Sequence, residues 1–558
     1  MTTTDINTTD AHNTHRPITT AAVLGASMAG LLAARALSET CDRVIILERD
    51  TIQGVTTPRR GVPQGAHVHG LMARGQQILE ELFPGFTEEA LSRGIPTADL
   101  GELRWFFNGK PLRPATTGLT CVSADRPILE DLVRRRVLDL PNVHLLENVS
   151  VCGLLMDDTN SRVIGVARRR EGSPRVEETP ANLVVDCTGR GSQTPRWLRE
   201  AGFDSPTVES VPIGLSYTSR HFRVIDEDIL RGDLAVNPVS CPAHPRGAFF
   251  TRVQNGTSIV SLTGMAGDRA PTDYDGFLKW AESIVVPDVA DIIKASEPLN
   301  EGVSLHYTAS RRHHYENLQR FPDGVLVMGD AFCSFNPVYG QGMTVAALEA
   351  LELRDATRSG APIAADFHQR ISEVVDPPWQ QSAAGDLMYG AGPIPEPVLQ
   401  ANQMTAMIQK AATVDPEVTR TFMRVAGLVD PPTHLMTPEM QARIQAAVEA
   451  ADAAESAETA ETAKAQDVAA GMLGDHQGRP DHEPIPSVTT STPVGTERVP
   501  DTEEAASPSL APVAAAAAGP AADAIPYGFS VTHAPAATTA TSTPTATNGG
   551  RCSTWRGW

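Results

Sequence analysis

The stretch TTAAVLGASMAGLLAARALSETCDRVIILER, Thr19 to Arg49, decides the fold. Its apolar run Ala21 to Leu24 reads as a buried strand and Gly25-Ala-Ser-Met-Ala-Gly30 as a tight turn. Leu31 to Leu37 reads as a helix, and Val44 to Leu47 as a second buried strand that ends on Glu48. Strand, glycine turn, helix, strand and acid, in that order, make a dinucleotide-binding βαβ unit. Gly25 permits the sharp turn, and Gly30 lets the helix lie close to the strand. The helix N-terminus offers backbone N–H groups and partial positive charge to a pyrophosphate. Glu48, about twenty residues beyond the turn, is placed to accept hydrogen bonds from an adenosine ribose. A carboxylate there favours a free 2′-hydroxyl, so FAD or NAD fits and NADP does not. Ser27 stands where a second glycine would let phosphate approach the backbone; its hydroxyl can donate to a phosphate oxygen, so an altered but working site is expected.

Working outward, the 558 residues carry a formal charge of −21 and are 41% apolar, enough to bury a large core. Such acidity excludes nucleic acid as a partner, because phosphate backbones need neutralising Lys and Arg. The seven cysteines, Cys41, Cys121, Cys152, Cys187, Cys241, Cys333 and Cys552, are odd in number, scattered and never in a C-x-x-C pair. That pattern fits a reduced, cytoplasmic compartment better than a disulfide framework or a zinc site. Residues 1–17 are polar and lack the basic and apolar regions of a secretory signal, so a flexible N-terminus is expected. No apolar run is long enough to span a bilayer, which leaves a soluble protein, with peripheral membrane contact open.

Beyond Glu48, the Gly- and Pro-rich TPRRGVPQGAHVHG is a loop. Its Arg59 and Arg60 either face a phosphate or ring edge or form a solvated basic pair. His67 and His69 alternate, but no third ligand cluster accompanies them, so no metal is expected. Helical spacing covers Leu71 to Leu82, and Leu103 to Phe107 reads as a strand. Arg126 opens a helix with Pro127 in its first turn. A cation is poorly placed there on dipole grounds, so a ligand phosphate or carbonyl would give it a reason; a plain surface arginine is the alternative. Val143 to Glu147, Val163 to Arg168 and Ala181 to Val185 read as strands, the last running into Asp186-Cys-Thr-Gly-Arg-Gly-Ser192.

The next part changes character. Phe249 to Gln254 and Thr257 to Leu262 alternate about Asn255-Gly256, a hairpin signal, and with Leu215 to Val224 and Val303 to Thr308 they predict an antiparallel sheet inserted into the first domain. Gly324 to Asp330 returns to buried-strand character, and Pro337 to Met343 opens another helix that runs to about Thr357. Asp330, at the strand end, suits a polyol or ring site, with a capping or turn role as the alternative. From Pro377 to Pro438, short helices broken by prolines are expected. The resulting plan is α/β. A Rossmann-like FAD-binding domain spans 18–205, with a substrate-facing excursion near 95–120, and 319–375; a mainly antiparallel β-sheet substrate domain occupies 206–318. C-terminal helices cover 376–438, an acidic Ala-rich helix 439–467, and a disordered Pro/Thr/Ala/Ser tail 468–558.

Four motifs stand in order: Gly25-x-Ser-x-x-Gly30 with Glu48, Arg126 before an apolar helix, Asp186-Cys-Thr-Gly-Arg-Gly-Ser192, and Gly329-Asp330-Ala-x5-Pro337-x2-Gly340-Gln-Gly342. With them the chain, from Ile18 to Pro438, resembles FAD-dependent monooxygenases of the p-hydroxybenzoate hydroxylase fold. In RRGVPQGAHVH, DCTGRGS and FNPVYGQGM it is most similar to actinobacterial natural-product epoxidases and hydroxylases of the polyether type. The resemblance implies that Gly25, Ser27, Met28 and Gly30 hold the FAD pyrophosphate and that Glu48, with Arg49 beside it, holds the adenosine ribose. It implies Arg126 at the phosphate or ribityl chain, Asp330 on the ribityl hydroxyls, and Gly340, Gln341, Gly342 and Met343 facing the flavin pyrimidine ring. Arg59 or Arg60 would lie along the flavin.

The flavin would carry the chemistry through a C4a-hydroperoxide, so no side chain is named as acid or base. One oxygen atom of O₂ would enter a large, lipophilic, biosynthetic small-molecule substrate by epoxidation or hydroxylation. Thr188 replaces the aspartate of the Asp-Gly pair found in the aromatic hydroxylases, so electrons would come from NAD(P)H or from a separate flavin reductase. Rival readings are a flavin-dependent reductase of isoprenoid double bonds and a non-catalytic flavoprotein whose tail recruits a partner. The W-x-W-x-I-P signature of tryptophan-type halogenases is absent.

Overall fold

A computed structural model describes residues 18–360, 363–390 and 392–474. The N-terminal seventeen residues, Cys552 and nearly all of the expected tail lie outside these. β1 (Thr20–Leu24), α1 (Met28–Leu37) and β2 (Arg43–Leu47) form the βαβ unit where the sequence places it. β1 is central in a five-stranded parallel sheet, flanked by β2 and Val143–Leu146 on one side and by Leu183–Asp186 and Val325–Val327 on the other. These strands are near-continuous apolar runs because both faces are covered, as all-parallel sheets require. On one face, Val23, Leu31, Val44 and Val185 pack with the helix Gly342–Arg358; on the other, Ala22, Leu24, Ile45 and Val184 pack against Trp197 and Val166.

The link from Val143–Leu146 to Leu183–Asp186 is a three-stranded antiparallel meander, Val149–Met156, Val163–Arg170 and Val176–Pro180. Only its middle strand is legible from pattern. Its partners carry few buried side chains, so they lack an alternating apolar signal.

A nine-stranded sheet forms the other layer. It is built on Thr207–Val224 between Val303–His314 and Ser258–Gly264, and continues through Arg246–Arg252 and Ala235–Pro238 to Arg104–Phe107. Asn255 (φ 61°) and Gly256 (φ 66°) turn the hairpin between Arg246–Arg252 and Ser258–Gly264. The pairing is antiparallel except where Ala235–Pro238 runs parallel to Arg104–Phe107. The helices Tyr274–Ala281 and Asp288–Lys294 cover one face through Phe277, Trp280, Val289 and Ile293.

One expectation fails between 376 and 438. Pro377 and Pro378 do not end a helix: they lie inside Ala364–Leu387. The helix Pro438–Gly474 also continues past Asp467, where the acidic segment was expected to stop.

Candidate functional site

Sheet register assembles the site. Leu24 pairs with Leu47 and Asp186, Asp186 with Val327, and Leu47 with Leu146. Gly25, Glu48, Cys187 and Met328 therefore emerge at one edge, where open α/β sheets place ligands. A methyl group on Gly30 would fall 1.9 Å from the Gly25 carbonyl oxygen, so only glycine permits this strand-to-helix approach. Ser27 makes no capping bond, which leaves the first-turn N–H groups of α1 to a ligand.

Glu48 is buried, accepting from the Ala26 N–H at 2.8 Å and the Asp50 N–H at 3.0 Å. Each oxygen keeps acceptor capacity for a diol. Arg59 stands 3.0 Å from Asp50 Oδ2, 3.1 Å from Glu130 Oε1 and 3.6 Å from Glu48 Oε1. Burial opposes its charge, but Glu130, Glu48 and Asp50 outweigh it and hold its pKa above the ordinary arginine value. Arg59 thus ties Glu48 and Asp50, at the end of the βαβ unit, to Glu130. Arg60 is exposed, and Arg49 is mostly solvated at 3.8 Å from Asp50 Oδ1, so neither joins the cluster.

Ser27 takes a different part from the one expected. Its hydroxyl donates to Glu130 Oε2 at 2.8 Å and accepts from Arg126 at 3.0 Å, and Arg126 also donates to that carboxylate at 3.0 Å. Its single hydrogen is therefore taken, whereas Arg126 keeps a buried Nε without a partner among the described residues. Glu130, only 4% exposed, has its pKa raised by burial but lowered further by Arg126 and Arg59, for a net lowering. Sequence reading missed it, although Arg126, Glu130 and Arg134 follow at i, i+4 spacing on one helix face. Beside them a shallow cleft, with a cavity volume of only about 10 Å³, is lined by Arg59, Arg126, Glu130 and Arg134.

The second half of the site comes from the far end of the chain. Gly329 adopts φ +66°, and a methyl there would stand 2.7 Å from Ala29 Cβ, so the Asp330 loop rests directly on α1. The Gly329 N–H donates to Glu349 Oε2 at 2.6 Å; burial pushes that carboxyl up to about 8, with Asp330 adding to the rise. Asp330 is raised by burial and held back by Arg190 and Arg126, which places both cations in its field. Arg190, another residue missed in the sequence, stacks 4.1 Å over the Tyr307 ring and donates to the Ala309 carbonyl. Asp186 fixes the Thr188–Ser192 loop by accepting from the Thr188 N–H and the Thr188, Ser192 and Thr194 hydroxyls.

Space is left around Asp330. Methyls built on Gly189 and Gly342 would come no nearer than 3.8 and 3.9 Å to it, one on Gly340 would lie 3.8 Å from the Gly70 carbonyl, and one on Gly191 would meet nothing within 4 Å. Left-handed backbone at Gly189 (φ +72°) and Gly340 (φ +67°) requires glycine there, and the absence of side chains at all four leaves a cradle open. Gln341, Gly342 and Met343 start the helix Gly342–Arg358 with no side-chain cap, so a second helix N-terminus faces that cradle. The loop carrying His67 and His69 links the two halves, with Gly65 against Pro127 and Gly70 against Gly340. Its imidazoles are engaged separately, His67 on Ser219 and His69 on the His67 carbonyl. Burial lowers them to about 4 and about 3 respectively, the latter with help from Arg126. Two uncapped helix N-termini, a carboxylate at each end and arginines between them fit an extended dinucleotide such as FAD.

The same architecture occurs in solved flavoproteins. The chain matches a flavoprotein/dehydrogenase from Cytophaga hutchinsonii at TM-score 0.57 and 16% identity, over 78% of this chain and 99% of that one. It matches p-nitrophenol 4-monooxygenase PnpA from Pseudomonas putida DLL-E4 at 0.53 and 16%, over 74% and 99%, and the flavin-dependent brominase Bmp2 at 0.55 and 14%, over 77% and 98%. The fold is thus that of the flavoprotein monooxygenases and halogenases, the p-hydroxybenzoate hydroxylase type. By sequence, the chain belongs to the family of Protein Rv3254 of Mycobacterium tuberculosis (strain ATCC 25618 / H37Rv), with 33% identity over 430 residues, 74% of this chain and 90% of that protein. No protein-family model matches the chain.

Proposed function

We propose that this protein is an FAD-dependent monooxygenase that places one oxygen atom of O₂ on a lipophilic substrate by hydroxylation or epoxidation. The observation that carries the reading is the meeting of the Gly25–Gly30 turn with the Gly329–Asp330 loop at one sheet edge, where Gly329 touches Ala29. In this reading the α1 N-terminus and Arg126 hold the pyrophosphate, Glu48 the ribose, Asp330 the ribityl chain, and Gly340 to Met343 the pyrimidine ring. FAD, when bound, supplies the oxygen chemistry.

The chain's own residues bind, orient and exclude water. The N-terminus of Gly342–Arg358 favours negative charge on the ring edge it faces. Arg126 and Arg190 balance Asp330 and the phosphates, and Arg59 with Glu130 locks the adenosine end. The apolar face of the nine-stranded sheet at Ile213, Leu215 and Met265 shields the reacting region from water. Electrons come from NAD(P)H or from a partner flavin reductase, since the chain carries one nucleotide fingerprint. Scattered cysteines without a C-x-x-C pair support a cytoplasmic setting for this reading.

The test supplies the purified protein with FAD, NADPH, a flavin reductase and a panel of isoprenoid and aromatic compounds under ¹⁸O₂. A product heavier by one ¹⁸O atom is expected. A product that gains only two hydrogens would favour double-bond reduction, and flavin binding without turnover of any compound would favour a non-catalytic flavoprotein.

A further inference from the structure

One pair of buried polar atoms is unused by the cofactor reading. His67 Nε2 and Tyr217 Oη are both buried and have no hydrogen-bond partner among the described residues. Their side chains are 3% and 5% exposed, with ring centroids 5.7 Å apart. His67 belongs to the loop that skirts the cradle, and Tyr217 to the central strand of the nine-stranded sheet. The pair therefore sits at the seam between cofactor and substrate layers.

Hydrogen accounting settles which groups donate. The Val68 N–H donates to Ser261 Oγ at 2.9 Å, Ser261 Oγ lies 2.5 Å from Ser219 Oγ, and Ser219 Oγ lies 2.7 Å from His67 Nδ1. Running the hydroxyl hydrogens from Ser261 to Ser219 to Nδ1 gives each an acceptor. The reverse direction leaves the Ser261 hydrogen without one among the described residues. Nδ1 is thus the acceptor and Nε2 carries the proton. Burial keeps this imidazole neutral, with a pKa near 4, and raises the Tyr217 phenol well above its ordinary value, so both groups are neutral donors. A buried donor left unmade is costly, which calls for an acceptor.

The surroundings give that acceptor its character. Around Tyr217 lie Ile213, Leu215 and Met265, with Tyr307, Val338 and Tyr389 packed against them. Val338 stands two residues before Gly340, which brings this apolar wall next to the ring end of the cradle. Asp386 is buried nearby, accepts from Asn336 at 2.7 Å and has no cationic partner among the described residues. Arg190 is turned to Tyr307, the Ala309 carbonyl and Asp330. Among the described residues, no free positive charge is offered to an anion here.

We propose that His67 Nε2 and Tyr217 Oη are a donor pair that binds an uncharged oxygen acceptor, such as a ketone or amide carbonyl, on an otherwise apolar substrate, and that this subsite rejects carboxylates. The proposal rests on the flavin reading, since it takes the seam as the substrate chamber. The test uses the flavin-loaded protein and three probes of one shape, benzamide, toluene and benzoate, followed by their perturbation of the flavin visible spectrum.

Benzamide is expected to bind about tenfold more tightly than toluene, the worth of one net hydrogen bond, and benzoate no more tightly than toluene. His67→Gln, which retains a donor near the Nε2 position, should keep the preference. His67→Asn and Tyr217→Phe should each reduce or abolish it. Equal binding of benzamide and toluene, tightest binding of benzoate, silence with all three probes, or a preference that survives both His67→Asn and Tyr217→Phe overturns the proposal. A wild-type chain that takes up no FAD overturns the flavin reading, and this one with it; flavin uptake without probe discrimination overturns this one alone.

Discussion

Asp330, half-buried, and Glu349, fully buried, are two carboxyl groups with opposite parts. Asp330 faces the cradle, where a ribityl hydroxyl would donate to it. Asp330→Ala is expected to weaken FAD binding by about tenfold to a hundredfold, the loss of one or two hydrogen bonds to a charged acceptor; titration of apoprotein by flavin fluorescence measures it. Unchanged affinity would remove Asp330 from the site. Glu349 faces the protein and holds the Gly329 N–H. Its folded pKa, about 8 against an ordinary 4.5, means that the folded state binds the extra proton across that window. Stability from this group is therefore full below pH 4.5 and falls as pH rises towards 8. Glu349→Gln, which keeps the acceptor and removes the charge, should flatten the fall by a few kcal/mol at most. Denaturant unfolding at pH 5 and pH 8 checks this, and an unaltered slope contradicts it. At this scale the sequence was partly legible. Glu48 and Asp330 sit at fixed offsets from glycine turns, and Arg126 opens a helix, so their positions could be read. Glu130 left only an i, i+4 spacing as a signal, and Arg190 and Glu349 left none, because their partners Tyr307, Ala309 and Gly329 lie on other elements.

Among the elements, the helix Ala364–Leu387 shows why local rules misled. Two prolines cost about 3 kcal/mol each in a helix interior, which argued for a break at Pro377. Phe367, Ile371, Val375 and Trp379 form a buried stripe across that point, and their packing into the main core outweighs the lost backbone bonds. The βαβ unit shows the reverse case: Gly25, Gly30 and the apolar runs agree with the tertiary structure, so pattern and fold coincide. Gly329 is the contact between this unit and the Asp330 loop. Gly329→Ala should destabilise by about 2 kcal/mol or more, from left-handed strain and the collision with Ala29, and should reduce flavin retention in parallel. Thermal denaturation with flavin release as a second signal reads both. A lowered melting temperature with full flavin retention would show that the contact is structural only.

At the scale of the molecule, the register of the parallel sheet brings Gly25, Glu48, Cys187 and Met328 out at one edge. That edge was legible as four separate motifs. The register that aligns them was not, because strand order depends on crossovers that no local pattern encodes. The meander of Val149–Met156 and its neighbours, standing where a helix would be the usual crossover, is an instance. All functional proposals depend on that edge holding one extended flavin nucleotide. The flavin content of the purified chain tests this most directly. About one FAD per chain, released on denaturation and restored by dialysis of the apoprotein against FAD, is the expected result; a colourless chain that equilibrium dialysis leaves without FAD would contradict it.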